Sequence, residues 1–172
     1  MSSKKLKEEL DLNKYLSNLT KPEHPVILVS GNMDREMNFM AAGWVMRTSF
    51  KPPLMAVSVG HSRHSHRLMQ DEEEFVLSYP VSGQEDLIKA AGSLSGSSVD
   101  KFSEIDEEYK RGSKVNLPVF TRARVNFECL KRDFKKTGDH TIFIGEVLFA
   151  SGNPGRAPLL NTGNYRYREY SI

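Results

Sequence analysis

Cysteine is almost absent from the sequence, with Cys129 the only one among 172 residues. An intrachain disulfide is therefore impossible, a reducing compartment is the default expectation, and a zinc site built from several thiolates is excluded. Long apolar runs are also absent, because the most apolar segment, residues 141–150, contains Glu146 and falls short of the roughly 18 residues that a membrane-spanning helix needs. We expect a cytoplasmic protein without a membrane partner.

The sequence has little excess charge of either sign, since it contains 24 Lys and Arg residues and 22 Asp and Glu residues and its net charge is +2. This balance predicts no broad basic surface, so nucleic acid is not an expected partner. The sequence has no glycine-rich dinucleotide fingerprint, no phosphate-binding P-loop, no serine-nucleophile elbow and no HExxH zinc motif. His61, His64 and His66 are spaced so that a helix would point them in different directions, and we expect no metal site.

Residues 1–20 carry leucines at roughly helical spacing and are predicted to form one amphipathic helix that ends before Pro22. The rest, residues 21–172, is predicted to be one domain rich in short strands. We predict strands over residues 25–30, 38–46, 54–59, 75–79, 119–120, 124–130 and 140–150, and short helices over residues 61–70 and around 87–91. Short strands with so few helical insertions indicate an all-β antiparallel barrel rather than a βαβ sheet.

Three polar clusters fall at the ends of these strands. In the first, residues 38–44 read NFMAAGW, and the small residues from Ala41 to Gly43 would allow a flat ring to approach the backbone. The same pattern is also typical of a core strand with small residues at a bend. In the second, residues 62–65 read SRHS, where hydroxyl groups, a guanidinium and free helix amides could bind a phosphate. A solvated helix start explains that cluster equally well.

The third cluster is His140, which follows Gly138 and Asp139 at the mouth of an apolar strand. A histidine there could donate a hydrogen bond to a ligand or exchange a proton near neutral pH, and it could also be purely structural. Cys129 alternates with Val125 and Phe127, so we interpret it as a small core residue.

Taken in chain order, these segments resemble the flavin reductase-like family, whose members have the FMN-binding split β-barrel fold, and within it the flavoredoxin type. The resemblance extends from about residue 25 to residue 167 and rests on many short motifs in order rather than on any one of them. Those motifs are PVILVS at 25–30, Asn38, Met40, Ala41, Trp44, Ser49, Pro52, Pro53, AVSV at 56–59, Arg63, Ser65, Phe75, Val76, DKF at 100–102, GDH at 138–140, GEV at 145–147, Gly163 and Tyr165.

The resemblance implies a homodimer that holds FMN without a covalent bond. It places Asn38, Met40 and Ala41 along the isoalloxazine ring, with Trp44 beside it. It places Ser62, Arg63 and Ser65 at the phosphate, with Lys101 adding charge and Ser49 near the ribityl chain. It also places His140, the expected catalytic residue, at the ring or the nicotinamide pocket, and Tyr165 or Tyr167 near the far edge of the ring.

Three functions remain open from the sequence. The first is an NAD(P)H-dependent flavin oxidoreductase, in which NAD(P)H binds only transiently and electrons pass through FMN to an acceptor. The second is a non-catalytic FMN electron carrier that a redox partner protein reduces. The third is a barrel that has lost its flavin and serves as a binding module. The acceptor, the choice between NADH and NADPH, and the choice among FMN, FAD and riboflavin are not determined by the sequence.

Overall fold

A computed structural model describes residue 16 and residues 21–163 and 166–170. The helix predicted over residues 1–20, apart from Leu16, and the candidate site residue Tyr165 lie outside the described residues. In the described part the protein is mostly β-structure with two helices, α1 (His64–Asp71) and α2 (Glu85–Ser93). No helix in this part is both long and apolar enough to cross a membrane.

Seven strands form one antiparallel sheet, and they are β1 (Val26–Gly31), β2 (Met37–Ala42), β3 (Val45–Ser49), β4 (Leu54–Gly60), β5 (Glu74–Tyr79), β8 (Val125–Thr137) and β9 (His140–Ser151). Their order in the sheet is β2-β1-β5-β8-β9-β4-β3. Two small antiparallel pairs join β6 (Tyr109–Arg111) to β7 (Pro118–Phe120), and β10 (Leu159–Asn161) to β11 (Tyr167–Glu169). The predicted dominance of antiparallel strands is confirmed.

The single strand predicted over residues 38–46 was wrong, because the chain leaves β2 after Ala42 and enters β3 at Val45. These two strands pair with different neighbours, β2 with β1 and β3 with β4, and lie at opposite ends of the sheet order. Gly43 permits the break, since a Cβ there would lie 2.4 Å from the Glu23 carboxylate. The apolar run FMAAGWVM over residues 39–46 continues through the break, which is why the sequence pattern did not reveal it.

The core lies on both faces of the sheet, because β1 is buried along its whole length. Alternate side chains of a strand point to opposite faces, and Ile27 and Val29 join one apolar cluster whereas Val26 and Leu28 join another. Residues of α2 pack into the first cluster, and Met69 of α1 packs into the second. The two helices are therefore fixed against the central strands, and their ends frame the cavity described next.

Candidate functional site

A cavity of about 310 Å³ lies between β2, the start of α1 and the segment that follows α2. The candidate site residues that line it come from three distant parts of the chain and were named separately from the sequence. They are Asn38, Met40, Ala41, Ser62, Arg63, Ser65 and Lys101. The structure thus brings together the ring-binding and phosphate-binding clusters, although their binding of a flavin stays a prediction.

The start of α1 supplies polar groups to the cavity. Arg63 precedes the helix in an extended conformation and makes no side-chain cap. The His66 amide donates to Arg63 O at 2.9 Å, whereas the amides of His64 and Ser65 are left for solvent or a ligand. Ser62, Arg63, His64 and Ser65 all line the cavity at this end. Amides at a helix start, together with hydroxyls and a guanidinium, form an arrangement suited to binding an anion.

Asn38 forms the buried floor of the cavity. Its Nδ2 donates a hydrogen bond of 2.9 Å to Ser65 Oγ, which connects β2 to α1. Its Oδ1 is buried and, within the described part of the chain, has no hydrogen-bond partner. Gly96 packs against this amide so closely that a Cβ on Gly96 would lie 2.4 Å from Asn38 Oδ1. A buried acceptor without a partner at a cavity wall is suited to a ligand that donates a hydrogen bond.

Lys101 places a buried ammonium group in the cavity wall. Its Nζ donates to Phe39 O at 2.8 Å and to Ala91 O at 3.4 Å, which connects β2 to the end of α2. Burial, and then the positive charge of Arg63, lower the pKa of Lys101 to about 8. The expectation that Lys101 adds charge to the site fits this position, but its hydrogen bonds go to backbone carbonyls.

Trp44, His140 and Ser49 do not line this cavity. The Trp44 and His140 rings lie 4.7 Å apart between centroids, and Trp44 borders a separate apolar groove of about 380 Å³. A Cβ added to Gly60 would lie 3.4 Å from His140 Nε2 and 3.7 Å from Arg63 Cγ. His140 and Arg63 are therefore neighbours across Gly60.

The His140 ring is oriented by the residue before it, because His140 Nδ1 lies 2.6 Å from Asp139 Oδ1. That hydrogen bond, with the charge of His140, lowers the pKa of Asp139. Ser49 ends β3 opposite Leu54, away from the polar cavity.

The segment after α2 was missed as part of the site. The sequence identified its Ser and Gly residues only as a loop, whereas Ser93, Ser95 and Gly96 line the cavity together with His64. A loop rich in small hydroxyl residues just before the DKF motif was the available signal. The His64 ring lies 2.7 Å from Glu36 Oε1, so an ion pair borders this side of the cavity when His64 is protonated.

The residues present fit a flavin mononucleotide. Its phosphate needs cations and donors, and no ion pair among the described residues involves Arg63 or Lys101. Its ribityl hydroxyls can bond to serine hydroxyls, and its ring carries an N–H donor that suits the unpartnered oxygen of Asn38. Elsewhere in the described chain no group of three His, Cys, Asp or Glu side chains could hold a metal ion.

Comparison with known proteins identifies the family. The model of the flavin reductase like domain matches residues 21–171, and the chain therefore belongs to the flavin reductase-like family. It is 31% identical over 150 residues to the NADH-dependent FAD reductase of Streptomyces globisporus, a match that covers 85% of this chain and 78% of that protein. The family inferred from the sequence motifs is confirmed.

Solved structures share the fold over nearly the whole chain. The NADH:FAD oxidoreductase SgcE6 of Streptomyces globisporus C-1027 matches with a TM-score of 0.84 at 26% identity, covering 96% of this chain and 98% of that one. Flavoredoxin from Methanosarcina acetivorans matches with a TM-score of 0.81 at 24% identity, covering 97% of this chain and 92% of that one. At that identity the second match concerns the fold alone.

Proposed function

We propose that this protein binds FMN and acts as an oxidoreductase that passes electrons from NAD(P)H through the flavin to an acceptor. The observation that carries the proposal is the cavity where Arg63, the start of α1 and the Asn38 oxygen meet. Among the described residues Arg63 makes no ion pair and Asn38 Oδ1 accepts no hydrogen bond. A reductase relative that is 31% identical and is named for NADH and FAD supports the donor and the class of cofactor. Bound FMN supplies the two-electron chemistry.

The residues of the cavity would bind FMN at two ends, one holding the phosphate and the other the ring. Ser62, Arg63, Ser65 and the first amides of α1 would hold the phosphate, and Lys101 would add positive charge. Asn38, Met40 and Ala41 would hold the ring against β2, with Asn38 fixed in place by its bond to Ser65. Because the Asn38 oxygen faces Gly96, the loop after α2 would exclude water from that edge of the ring.

His140 is the residue that we propose for proton handling. Asp139 orients its ring through Nδ1, so Nε2 faces Gly60 on the side of Arg63. Trp44, in contact with the same ring, would border the end of the flavin away from the phosphate. We place Ser49 at the ribityl chain and Tyr165 at the far edge of the ring only by the family resemblance.

A second copy of the chain is the proposed partner, and we propose that the sheet closes as the split barrel of the family. The outward face of β3, β4 and β9 carries an apolar patch, in which Met46 of β3 is 58% exposed and the preceding Trp44 is 55% exposed. On β9 the same face carries Ile142 and Leu148, with Glu146 between them. Such an exposed apolar face is typical of an interface between protein chains. We also propose a cytoplasmic location, which the single cysteine of the sequence, the buried Cys129, supports.

The reductase proposal is tested by mixing FMN-loaded protein with NADH or NADPH and following flavin absorbance in a stopped-flow instrument. We expect bleaching within the time of catalytic turnover with at least one of the two nucleotides. Absence of bleaching with both, combined with rapid reduction by a ferredoxin-type protein, would instead establish the alternative function of electron carrier. Protein that stays colourless after incubation with FMN would contradict both functions.

Affinity for FMN should fall as the pH rises through the Lys101 pKa of about 8. Below that pH the buried ammonium is charged and attracts the phosphate, and above it the charge and the attraction are lost. Fluorescence titration from about pH 7 to about pH 9.5 should show this decrease, and K101M should remove it. Riboflavin, which has no phosphate, is the control and should show little change, whereas an equal decrease for riboflavin would contradict the assignment.

A further inference from the structure

Two histidines bracket the proposed phosphate-binding turn and share one hydroxyl. His61 Nε2 lies 3.1 Å from Thr141 Oγ1, and His66 Nε2 lies 2.9 Å from the same atom. The two rings are 4.9 Å apart between centroids. Thr141 is completely buried in β9, and His66 is buried in the first turns of α1. Residues 62–65 are therefore connected at both ends to one side chain of the sheet.

We propose that Thr141 is a positioning residue that acts through His61 and His66 to hold the turn over residues 62–65 in the geometry that binds phosphate. The proposal rests on the proposed function, because the turn is the phosphate end of the FMN site. Two further contacts support it, since His61 N–H donates to Asp139 O at 2.9 Å and Asn38 donates to Ser65 in the same turn. Thr141 also follows His140 directly, so one strand end positions both parts of the site.

The shared hydroxyl makes this geometry dependent on protonation. A threonine hydroxyl donates one hydrogen bond and accepts others, so one histidine can donate to it while it donates to the other. If both rings are protonated, both are donors, the hydroxyl proton loses its acceptor, and two positive charges face each other. Protonation of His61 alone leaves the chain of hydrogen bonds intact, provided that His66 stays neutral.

The surroundings of His66 favour the neutral form of its ring. The groups that face it are His61 from the turn before α1, Thr141 and Phe143 from β9, and Lys136, which pairs with Thr141 from β8. Burial, followed by the charges of His61 and Lys136, lowers the pKa of His66. The lowered pKa of His66 therefore extends the connection to lower pH, and the connection breaks once both rings are protonated.

The test compares T141V, which removes the hydroxyl at nearly constant shape, with T141S, which restores it. We expect T141V to weaken FMN binding about tenfold at neutral pH, as loss of a hydrogen bond network predicts, with riboflavin affinity nearly unchanged and FMN binding recovered in T141S. T121V, which removes a threonine hydroxyl that donates to Glu108 away from the cavity, is the matched control and should bind FMN like the unchanged protein. Equal losses for FMN and riboflavin, or a lower unfolding temperature with normal FMN affinity, would overturn the proposal.

The pH dependence of FMN affinity provides a second readout, which would not change if these contacts were only structural. The ratio of the FMN affinity of H66Q to that of the unchanged protein should rise as the pH falls from about 8 to about 5, because only the unchanged protein loses the connection when its histidines are protonated. Ionisation of the phosphate affects both proteins and cancels in the ratio. A constant ratio would overturn the proposal. Histidine NMR of the flavin-free protein separates this failure from failure of the proposed function: in T141V we expect altered His61 and His66 resonances whether or not FMN binds, and unchanged resonances would also overturn it.

Discussion

Replacement of Arg63 by alanine should weaken FMN binding by about 10- to 150-fold. The guanidinium lines the cavity beside the start of α1 and has no carboxylate partner among the ion pairs of the described residues, so its charge is available to the phosphate. A charge-assisted hydrogen bond contributes about 1.5–3 kcal/mol, which corresponds to that range of affinity. Quenching of flavin fluorescence during titration measures the change directly.

Two comparisons make the Arg63 result specific. Riboflavin should bind R63A and the unchanged protein with similar affinity, because it has no phosphate. R168A removes an exposed arginine of β11, which does not line the cavity, and should bind FMN normally. If R63A binds FMN as tightly as the unchanged protein does, the phosphate has been placed at the wrong end of the cavity.

Substitution of Gly96 by alanine should reduce FMN affinity by about 5- to 150-fold, the range that corresponds to overpacking energies of about 1–3 kcal/mol. The added Cβ would lie 2.4 Å from Asn38 Oδ1 and 2.6 Å from Asn38 Cγ. Asn38 cannot move aside freely, because it is buried and bonded to Ser65. Either the loop after α2 shifts outward or the Asn38–Ser65 bond breaks, and each outcome deforms the wall that faces the ring.

The matched control for Gly96 is Gly155, where an added Cβ would meet no atom within 4 Å. G155A should therefore keep the FMN affinity of the unchanged protein, and its unfolding temperature should change little. Riboflavin is informative here as well, since a deformed ring site should weaken riboflavin and FMN alike, in contrast to R63A. Normal binding of both flavins by G96A would show that the wall formed by Asn38 and Gly96 is not part of the flavin site.

Much of the fold could be predicted from local patterns, because most strands are short apolar runs bounded by turn residues. The break between β2 and β3 could not, since it depends on which strands Ala42 and Val45 pair with and on a carboxylate from Glu23 that packs against Gly43. The full length of β8 was also missed. Its last residues, up to Thr137, are exposed and, apart from Phe134, polar, and their pairing with β9 keeps them extended.

The site was predictable to the extent that its residues have distinctive chemistry. Arg63 and Asn38 stand out in their segments, and the structure places both at one cavity. The contribution of Gly96 is only visible in three dimensions, because it consists of the absence of a side chain beside Asn38. The connection of His61 and His66 through Thr141 is hidden for a similar reason, since it joins residues about 75–80 positions apart.

A crystal structure of the protein grown with excess FMN tests the central claim most directly. The account predicts the phosphate within hydrogen-bonding distance of Ser62, Arg63 or Ser65, and the ring against residues 38–41 with a donor facing Asn38 Oδ1. An FMN molecule bound elsewhere, or a cavity that side chains close in the presence of FMN, would contradict it.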